Sequence, residues 1–491
     1  MRRKVLVLSD VTVGYAVPQM ILMARSLGEL LDAKVVFVEP DMKSRRELIE
    51  VEGIEFRRVS TRNPPHDLVF HVEYVRAMRE IYQEVEPDVL VVFNAAVLPP
   101  LLLESKRPEF VLYYMLESLD HQLIVGGQHF YDMNRMATEF IDLVVVPERR
   151  RHAVDSARLG WETLPFVEVF NIGSEIVPRK FIPNQCRFLF AGTLNRHTGF
   201  DWLADERLRH LEIHVAGPTD SEESRALLRQ FLERGDSSGD RQYLGLLPHR
   251  ELLSRLHDYA FRLVFWTATD INTVYASPNK FFESISYGLP PVSTPHPQMR
   301  EINDAYRCSV LSTGFTKDEM VEALLDAERI FQTNGYLRLL KGCWRAANGT
   351  LNWTTQFEVV AAFLSRHRPL LVKNGIRKQP HSVATLAVED YEHALDRMRP
   401  IGERTSGRVS VRSESSKFGS GAENPLGEFA MADLKRVARV QESFDAEWYM
   451  ATYPDVAMLG MTAEEHFDWI GRALGRSPNA DSKNEEDIEI C

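Results

Sequence analysis

A lysine and a glutamate lie one helical turn apart in the otherwise apolar stretch SPNKFFESISYGLPPVST, which begins at Ser277. Ser277 and Pro278 are typical of an N-cap and a first helical residue, and Gly288 predicts the end of a helix of about three turns. The segment PPVST that follows predicts a short buried strand of a parallel sheet. We therefore expect Lys280 and Glu283 near a helix N-terminus beside a sheet edge, where α/β proteins bind phosphorylated ligands.

The length and composition of the chain limit the classes of protein to consider. Its 491 residues predict two or three domains, and its hydrophobic content of 44% suits large cores. The formal net charge of −12 argues against a general nucleic-acid-binding protein. The four cysteines show no CxxC spacing, so neither a disulfide framework nor a zinc site is indicated.

Apolar runs near the N-terminus are too short or too interrupted for export or membrane insertion. The run in MRRKVLVLSD covers four residues and predicts a first strand rather than a signal peptide. Asn94, Pro99 and Pro100 interrupt the longest apolar stretch, VLVVFNAAVLPPLLL, which makes a membrane span improbable. We expect a cytoplasmic protein, with peripheral contact to the inner face of the cell membrane as an open alternative.

Strand-like and helix-like segments alternate in two successive series. The first series contains KVLVLS, AKVVFV, DVLVVF, FVLYYM and DLVVVP, and the second contains RFLFAG, EIHVAG, FRLVFW, PPVSTP and CSVLS. The pattern predicts an α/β protein with two Rossmann-like, doubly wound domains that face each other across a cleft. We predict an N-terminal domain at 1–170, a second domain with a closing helix at 171–372, a largely disordered linker at 373–430, a small helical module at 431–480 and an acidic tail at 481–491.

Glycines follow the first strand of each predicted domain. Gly14 follows the first strand of the chain, where the absence of a side chain lets a ligand approach the backbone, although a plain tight turn explains it equally well. In the second domain the loop FAGTLNRHTGFDWL contains Gly192, Thr193 and Arg196. These residues suit an anion-binding loop, and an ordinary turn is the alternative.

Two polar stretches follow strands of the first domain. Glu117, Asp120 and His121 come after FVLYYM and are expected to face the cleft, unless they are only an ordinary helix start with an acidic first turn. The run PERRRH at 147–152 carries three arginines that suit an anionic lipid-linked acceptor or a membrane surface. A solvated helix face is the plainer interpretation of the same run.

The order of FAGTL, TGFDWL, VAGP and SPNKFFESISYGLPPVST resembles the donor-binding half of a glycosyltransferase with the GT-B fold, closest to family 4. The resemblance covers roughly residues 1–370. It implies that Glu283 binds the ribose hydroxyls of a UDP- or GDP-sugar, that the helix N-terminus and nearby cations bind its diphosphate, that anomeric configuration is retained, and that no metal or other cofactor is needed. The donor site predicted in this way comprises Gly14, Gly192, Thr193, Arg196, Ser277, Asn279, Lys280 and Glu283. The predicted catalytic residues are Glu117 and His121.

The chain departs from the family pattern at three positions. Tyr275 occupies the place of a family glutamate, and Thr193 and Thr198 occupy the places of an arginine and a lysine. A non-catalytic binding protein and an epimerase of the same fold therefore remain alternatives. If Lys280 and Glu283 are only an exposed ion pair, substituting them leaves ligand binding unchanged. If Glu283 binds ribose, Glu283→Gln is expected to weaken donor binding by about 1.5–3 kcal/mol with little change in folding.

A second resemblance concerns the C-terminal segment SFDAEWYMATYPDVAMLGMTAEEHFDWIGRALGRSPN, which is similar to a module that accompanies bacterial surface-polysaccharide glycosyltransferases. The similarity rests on Phe444, Asp445, Trp448, Tyr449, Pro454, Asp455, Val456, Gly460, His466, Gly471, Gly475, Arg476 and Pro478. It implies a bacterial cell-envelope context and a glycan or lipid-linked acceptor. We interpret the aromatic residues mainly as the core of the module, with a carbohydrate or partner surface as the alternative.

Overall fold

The computed structural model describes residues 2–13, 17–41, 49–60, 68–173, 176–179, 181–235, 240–372, 444–453, 462–467 and 477–479. Two compact units, Met1–Asp396 and Arg397–Cys491, make up the chain. Gly14, the predicted linker and the predicted acidic tail lie outside the described residues. Within the described ranges, no helix combines the length and apolar character needed to span a bilayer.

The first unit begins with a seven-stranded parallel sheet. Its strands in chain order are β1 (Arg3–Leu8), β2 (Ala33–Asp41), β3 (Ile54–Ser60), β4 (Val89–Phe93), β5 (Phe110–Tyr114), β6 (Leu143–Val146) and β7 (Phe166–Glu168). Their order across the sheet is β3-β2-β1-β4-β5-β6-β7. Strands β4, β5 and β6 are buried along their whole length, as expected for the centre of a parallel sheet covered on both faces.

Helices connect these strands and cover the sheet. They are α1 (Pro18–Leu31), α2 (Leu68–Val85), α3 (Pro99–Leu103), α4 (Leu119–Ala137) and α5 (Arg149–Leu159). Two clusters of buried apolar side chains lie on opposite faces, because alternate residues of each strand point to opposite sides. The sheet therefore has the two-sided core of a doubly wound fold.

A second parallel sheet of six strands follows in the same unit. Its strands are β8 (Arg187–Ala191), β9 (Glu212–Ala216), β10 (Arg241–Tyr243), β11 (Phe261–Val264), β12 (Pro291–Ser293) and β13 (Val310–Leu311), in the order β10-β9-β8-β11-β12-β13. The helices are α6 (Glu222–Glu233), α7 (His249–Arg255), α8 (Ile271–Val274), α9 (Asn279–Ser286), α10 (Pro297–Tyr306), α11 (Lys317–Phe331), α12 (Asn334–Asn348) and α13 (Trp353–His367). The predicted fold class, with two parallel-sheet α/β domains, is confirmed.

The last described helix of this unit, α13, packs against the first sheet. Trp353 Nε1 donates a hydrogen bond to Ser26 Oγ of α1 at 2.8 Å, and the N–H of Phe170 donates to Gln356 Oε1 at 2.8 Å. Trp353, Phe357, Val360, Ala361 and Leu364 join the same buried cluster as β1, β4 and α1. The helix predicted to close the second domain thus completes the core of the first.

The described residues of the C-terminal unit form a small aromatic cluster. Helix α14 (Ala446–Thr452) begins at the N-cap Asp445, whose side chain accepts a hydrogen bond from Trp448 N–H at 2.9 Å. A short helix, α15 (Ala463–His466), follows. Tyr449 and Phe467 are buried and pack edge to face with ring centroids 5.4 Å apart. This packing agrees with the interpretation of the aromatic residues as core, whereas the predicted Pro454, Asp455, Val456, Gly460, Gly471, Gly475 and Arg476 lie outside the described residues.

Candidate active site

The order of strands reverses once in each sheet of the first unit. The reversal lies between β1 and β4 in the first sheet and between β8 and β11 in the second. Open parallel sheets bind ligands beyond the carboxyl ends of the strands at such a point. Asn94 directly follows β4, Gly192 directly follows β8, and Trp266 lies two residues beyond β11. These positions define where a ligand site is expected.

Helix α9 begins later than the sequence predicts. Pro278 has extended backbone angles (φ −75°, ψ 124°) and takes the N-cap position, so the helix covers Asn279–Ser286, about two turns rather than three. Ser277 is therefore not the N-cap. Its Oγ is buried and makes no hydrogen bond to any described residue, while its carbonyl accepts from Asn171 Nδ2 at 2.7 Å. Asn279, predicted to bind the donor, becomes the first helical residue.

Glu283 is held by Arg262 and His249 rather than by Lys280. Its Oε2 accepts a hydrogen bond from Arg262 Nη1 at 2.5 Å, and its Oε1 lies 2.5 Å from His249 Nε2. Burial alone would raise the pKa of Glu283, but the charge of Arg262 and the hydrogen bonds from His249 and Arg262 lower it to about 2. The carboxylate is therefore ionised at neutral pH, and each oxygen retains a lone pair for a further donor.

Lys280 lies in a different environment from Glu283 although the two are one turn apart. Its Nζ is 5.0 Å from the centroid of the Trp266 ring, and a Cβ built on Gly192 would be only 2.1 Å from that Nζ. The ammonium thus occupies the space that a side chain at Gly192 would fill. Burial and the charge of Arg262 lower the pKa of Lys280 to about 8. The exposed ion pair considered as an alternative does not form.

The loop after β8 makes hydrogen bonds mainly within itself and with the loop after β11. Thr198 is buried, and its Oγ1 donates to the carbonyls of Thr193 and Asn195 at 2.8 and 2.9 Å. The N–H of Thr267 donates to the carbonyl of His197 at 2.9 Å. Arg196 is 73% exposed and lies 3.8 Å from Glu223. Thr198 is thus a support of the loop, and Arg196 lies on its outer side.

Glu117 lies where the two domains meet. Its Oε2 accepts a hydrogen bond at 3.2 Å from Nδ2 of Asn272, which is on α8 of the second domain. Asn272 Oδ1 accepts in turn from the N–H of Ser118 at 3.1 Å and from Arg151 Nη1 at 3.0 Å. The other oxygen of Glu117, Oε1, accepts no hydrogen bond from a described residue. One asparagine therefore fixes Glu117 across the cleft.

Asn94 supports the same glutamate from within the first domain. Its backbone has a positive φ of 61° (ψ 175°), which is uncommon for a residue other than glycine. The Asn94 Oδ1 accepts from the N–H groups of Leu116 and Glu117 at 3.0 and 3.1 Å, and Nδ2 donates to Asp10 Oδ2 at 3.1 Å. Backbone strain at the carboxyl end of a central strand often marks a functional site.

His121 and Asp120 are on the first turn of α4 and take no part in these contacts. The N–H of His121 donates to Ser118 Oγ at 3.2 Å, so its backbone belongs to the helix cap, and its side chain is half-buried. Asp120 is paired with Arg158 at 2.5 Å. The structure therefore joins Glu117, and not His121, to the second domain.

The arginines of the PERRRH run bind protein groups. Arg149 lies 3.0 Å from Glu301 on α10, and Arg150 pairs with both Glu148 and Glu301. Arg151 is 5% exposed and binds Asn272. The run is thus neither a solvated helix face nor an array of unpaired cations, and it contributes to the contact between the two domains.

Sequence reasoning missed four residues that hold these predicted site residues: Asn94, His249, Arg262 and Asn272. Of these, Arg262 could have been identified from the sequence, because it interrupts the apolar strand FRLVFW. A buried arginine needs an anionic partner. The others depend on contacts between residues far apart in sequence, 155 positions in the case of Asn272 and Glu117.

Comparison with known proteins identifies the overall fold of the chain. No family model and no curated protein matches the chain. Among solved structures, sucrose-phosphate synthase from Thermosynechococcus elongatus is similar with a TM-score of 0.57 and 14% identity, covering 75% of this chain and 99% of that one. Anabaena HepE in complex with UDP is similar with a TM-score of 0.56 and 14% identity over 74% of this chain and all of that one. WaaG, a glycosyltransferase involved in lipopolysaccharide biosynthesis, is similar with a TM-score of 0.52 and 14% identity over 74% and 99%. The chain therefore shares the two-domain GT-B fold of these glycosyltransferases.

Proposed function

We propose that this protein is a glycosyltransferase that transfers a sugar from a nucleoside-diphosphate sugar to a hydroxyl of a surface polysaccharide or lipid-linked acceptor. The observation that carries the proposal is the arrangement of α9, which presents the ammonium of Lys280 over Gly192 and the ionised carboxylate of Glu283 one turn later. A nucleoside diphosphate offers two phosphates and a ribose diol, which match a cation and a carboxylate at this spacing. The UDP bound by HepE supports this class of ligand.

Lys280 and the N-terminus of α9 are the groups that stabilise the leaving diphosphate in this proposal. As the glycosidic bond breaks, negative charge accumulates on the diphosphate, and a nearby ammonium and helix N–H groups lower the energy of that state. No divalent ion is required for this role, and we propose that transfer is metal-independent and retains the anomeric configuration. Arg262 and His249 keep Glu283 ionised and oriented toward the ribose.

Glu117 is the proposed acidic residue on the acceptor side. Its Oε2 is fixed by Asn272, which leaves Oε1 to accept a hydrogen bond from a hydroxyl of the transferred sugar or of the acceptor. His121 follows one turn later and is proposed to contact the same substrates. Because Asn272 belongs to the second domain, the position of Glu117 depends on the contact between the domains.

A second candidate function is a binding protein without transferase activity. Tyr275 is completely buried at the position where the family resemblance expects a glutamate, so this chain has a packed aromatic ring in place of that acidic group. This candidate predicts a folded protein that binds neither UDP nor GDP. Calorimetry with both nucleotides separates the two functions before any acceptor is known.

A panel of UDP- and GDP-sugars tests the proposed activity directly. The full chain is first screened by thermal shift, because a ligand at 100 times its dissociation constant adds about 2.7 kcal/mol of apparent stability. Donors that bind are then incubated with a lipid-linked or oligosaccharide acceptor, with and without chelator. Acceptor-dependent release of nucleoside diphosphate is expected in both conditions. Isomerised sugar formed without acceptor would instead support an epimerase. If chelator abolished transfer even at a saturating donor concentration, that result would contradict the metal-independent step.

A further inference from the structure

Three potential metal ligands lie together at the amino end of the second sheet, the edge opposite to the one that carries Gly192. Glu212 and His214 are two positions apart on β9 and so point to the same face. Asp240 directly precedes β10, and its carbonyl accepts a hydrogen bond from the N–H of Ile213 at 2.9 Å, which places it opposite Glu212. One ligand atom from each of the three side chains lies within 4.8 Å of the other two.

His214 is the unusual member of this group. It is only 7% exposed, and its Nδ1 lies 3.0 Å from the hydroxyl of Tyr259, which fixes the orientation of the ring. Its Nε2 is buried without a hydrogen-bond partner and lies 3.6 Å from Glu212 Oε1 and 3.6 Å from Asp240 Oδ2. These distances are too long for hydrogen bonds, and a buried polar atom without a partner calls for an explanation.

We propose that Glu212, His214 and Asp240 bind a divalent transition-metal ion, for which Zn²⁺ is the best-matched probe. One imidazole nitrogen and two carboxylate oxygens are a ligand set that Zn²⁺ accepts, with a water molecule in the fourth position. Bond lengths of 2.0–2.1 Å in a tetrahedral site separate neighbouring ligand atoms by about 3.3 Å. The 3.6 Å separations around Nε2 need only a small movement to reach that value.

The groups around the three ligands set the expected strength and role of the site. Tyr259 acts on the metal through His214, as hydrogen-bonded partners of ligating histidines commonly do. Arg187 Nε binds the same oxygen of Glu212, and Gln242 Nε2 donates to Asp240 Oδ2 at 2.5 Å, so both donors compete with the cation. We therefore expect weaker binding than at a four-ligand structural zinc site. The bound ion would join the edge strand β10 to β9.

The test uses the full chain freed of metal by dialysis against a chelator that is then removed. Calorimetry with zinc chloride is expected to show one saturable site, and zinc is expected to raise the melting temperature. Asp240→Asn removes one anionic ligand from a side chain that is 50% exposed, so folding is preserved, and it is expected to lower zinc affinity at least tenfold. His214→Gln is expected to do the same.

The matched control is His210→Gln. His210 lies 3.1 Å from the carboxylate of Glu328, and its side chain is 41% exposed, so its loss leaves zinc binding unchanged if the site is as proposed. Co²⁺ gives a second readout, because a protein site of this kind produces a visible absorption band that Asp240→Asn removes. Absence of saturable binding, or equal affinity in Asp240→Asn, would overturn the proposal and leave His214 as a buried imidazole between two carboxylates. Asp240→Asn is expected to retain transferase activity, which separates this site from the donor site.

Discussion

Glu283→Gln is expected to lower the stability of the fold as well as the affinity for the ligand. The expectation based on sequence alone is a loss of affinity with little change in stability. The sequence suggests a glutamate whose main partner is a ligand. In the structure, Glu283 neutralises Arg262, whose side chain is only 2% exposed. Glutamine keeps the size and one acceptor oxygen of the glutamate but leaves the guanidinium without a counter-charge. The substitution therefore acts on a buried ion pair and on the proposed ribose contact together.

The size of the folding effect follows from the burial of the arginine. Removing one partner of a buried pair costs about 3–5 kcal/mol. Glutamine still accepts one hydrogen bond, so we take the lower end and expect a loss of about 3 kcal/mol in the free energy of unfolding. For a domain of about 150–250 residues that corresponds to a fall of about 6–12 °C in melting temperature. Affinity for UDP or GDP should fall by about 1.5–3 kcal/mol, since a charged acceptor is lost.

A double-mutant cycle separates the ion pair from other effects of the substitutions. Glu283→Gln, Arg262→Met and the double variant are compared by denaturant unfolding, with Glu251→Gln as the control. Glu251 forms an exposed pair with Arg255, with both side chains more than 40% exposed, so its loss should change stability by only about 0.2–0.5 kcal/mol. The double variant should be more stable than the sum of the two single losses predicts, because it leaves no buried charge unpaired.

Two results would refute this reasoning. Additive losses, within about 0.5 kcal/mol, would mean that Arg262 and Glu283 do not depend on each other. Unchanged nucleotide affinity in Glu283→Gln, measured under conditions where the variant is folded, would mean that Glu283 serves the fold and not a ligand.

Three further predictions concern the ligand side of the site. Lys280, with a pKa of about 8, is protonated in about nine of ten molecules at pH 7 and in about one of ten at pH 9. The affinity for UDP, measured by calorimetry, should therefore fall up to about tenfold between these pH values. In Lys280→Met the affinity should not change with pH. Gly192→Ala should displace the Lys280 amine and weaken UDP binding about tenfold or more, and it should also lower the melting temperature, because Gly192 has a φ of +156° that residues with a side chain rarely adopt. Gly173→Ala, whose Cβ would meet no atom within 4 Å, should alter neither quantity. Asn272→Asp replaces the donor to Glu117 with a second carboxylate, so kcat should fall at least tenfold while the dissociation constant for UDP is unchanged; equal kcat would contradict the proposed role of this contact.

The sequence predicts the architecture well because central parallel strands are almost wholly apolar. All ten predicted strands are present in the structure. The three missed strands, β3, β7 and β10, lie at sheet edges, and their sequences IEFRRVS, FVE and RQY mix polar and apolar residues or are very short. Edge strands are exposed to solvent on one side, so periodicity alone does not distinguish them from loops.

The candidate site is only partly predictable, because its decisive contacts are tertiary. The sequence identifies Lys280 and Glu283 as a pair, since they lie at helical spacing on one short segment. It does not show that the two side chains point to different partners, Trp266 and Arg262, because both partners come from another strand and its following loop. The helix start also differs, because Pro278 caps the helix with its backbone, which the Ser-Pro pair does not reveal.

The return of α13 to the first sheet means that the chain crosses between the two α/β domains twice, once after β7 and once before Trp353. In covalent terms the second domain is an insertion into the first. A chimaera made with one junction would combine the sheet of one parent with the closing helix of the other and leave mismatched side chains around Ser26. A donor-domain exchange made with two junctions, on either side of residues 187–348, keeps each core intact. A hinge movement between the domains would have to be absorbed by the backbone at both crossings, because hinges lie in the segments that connect the moving parts.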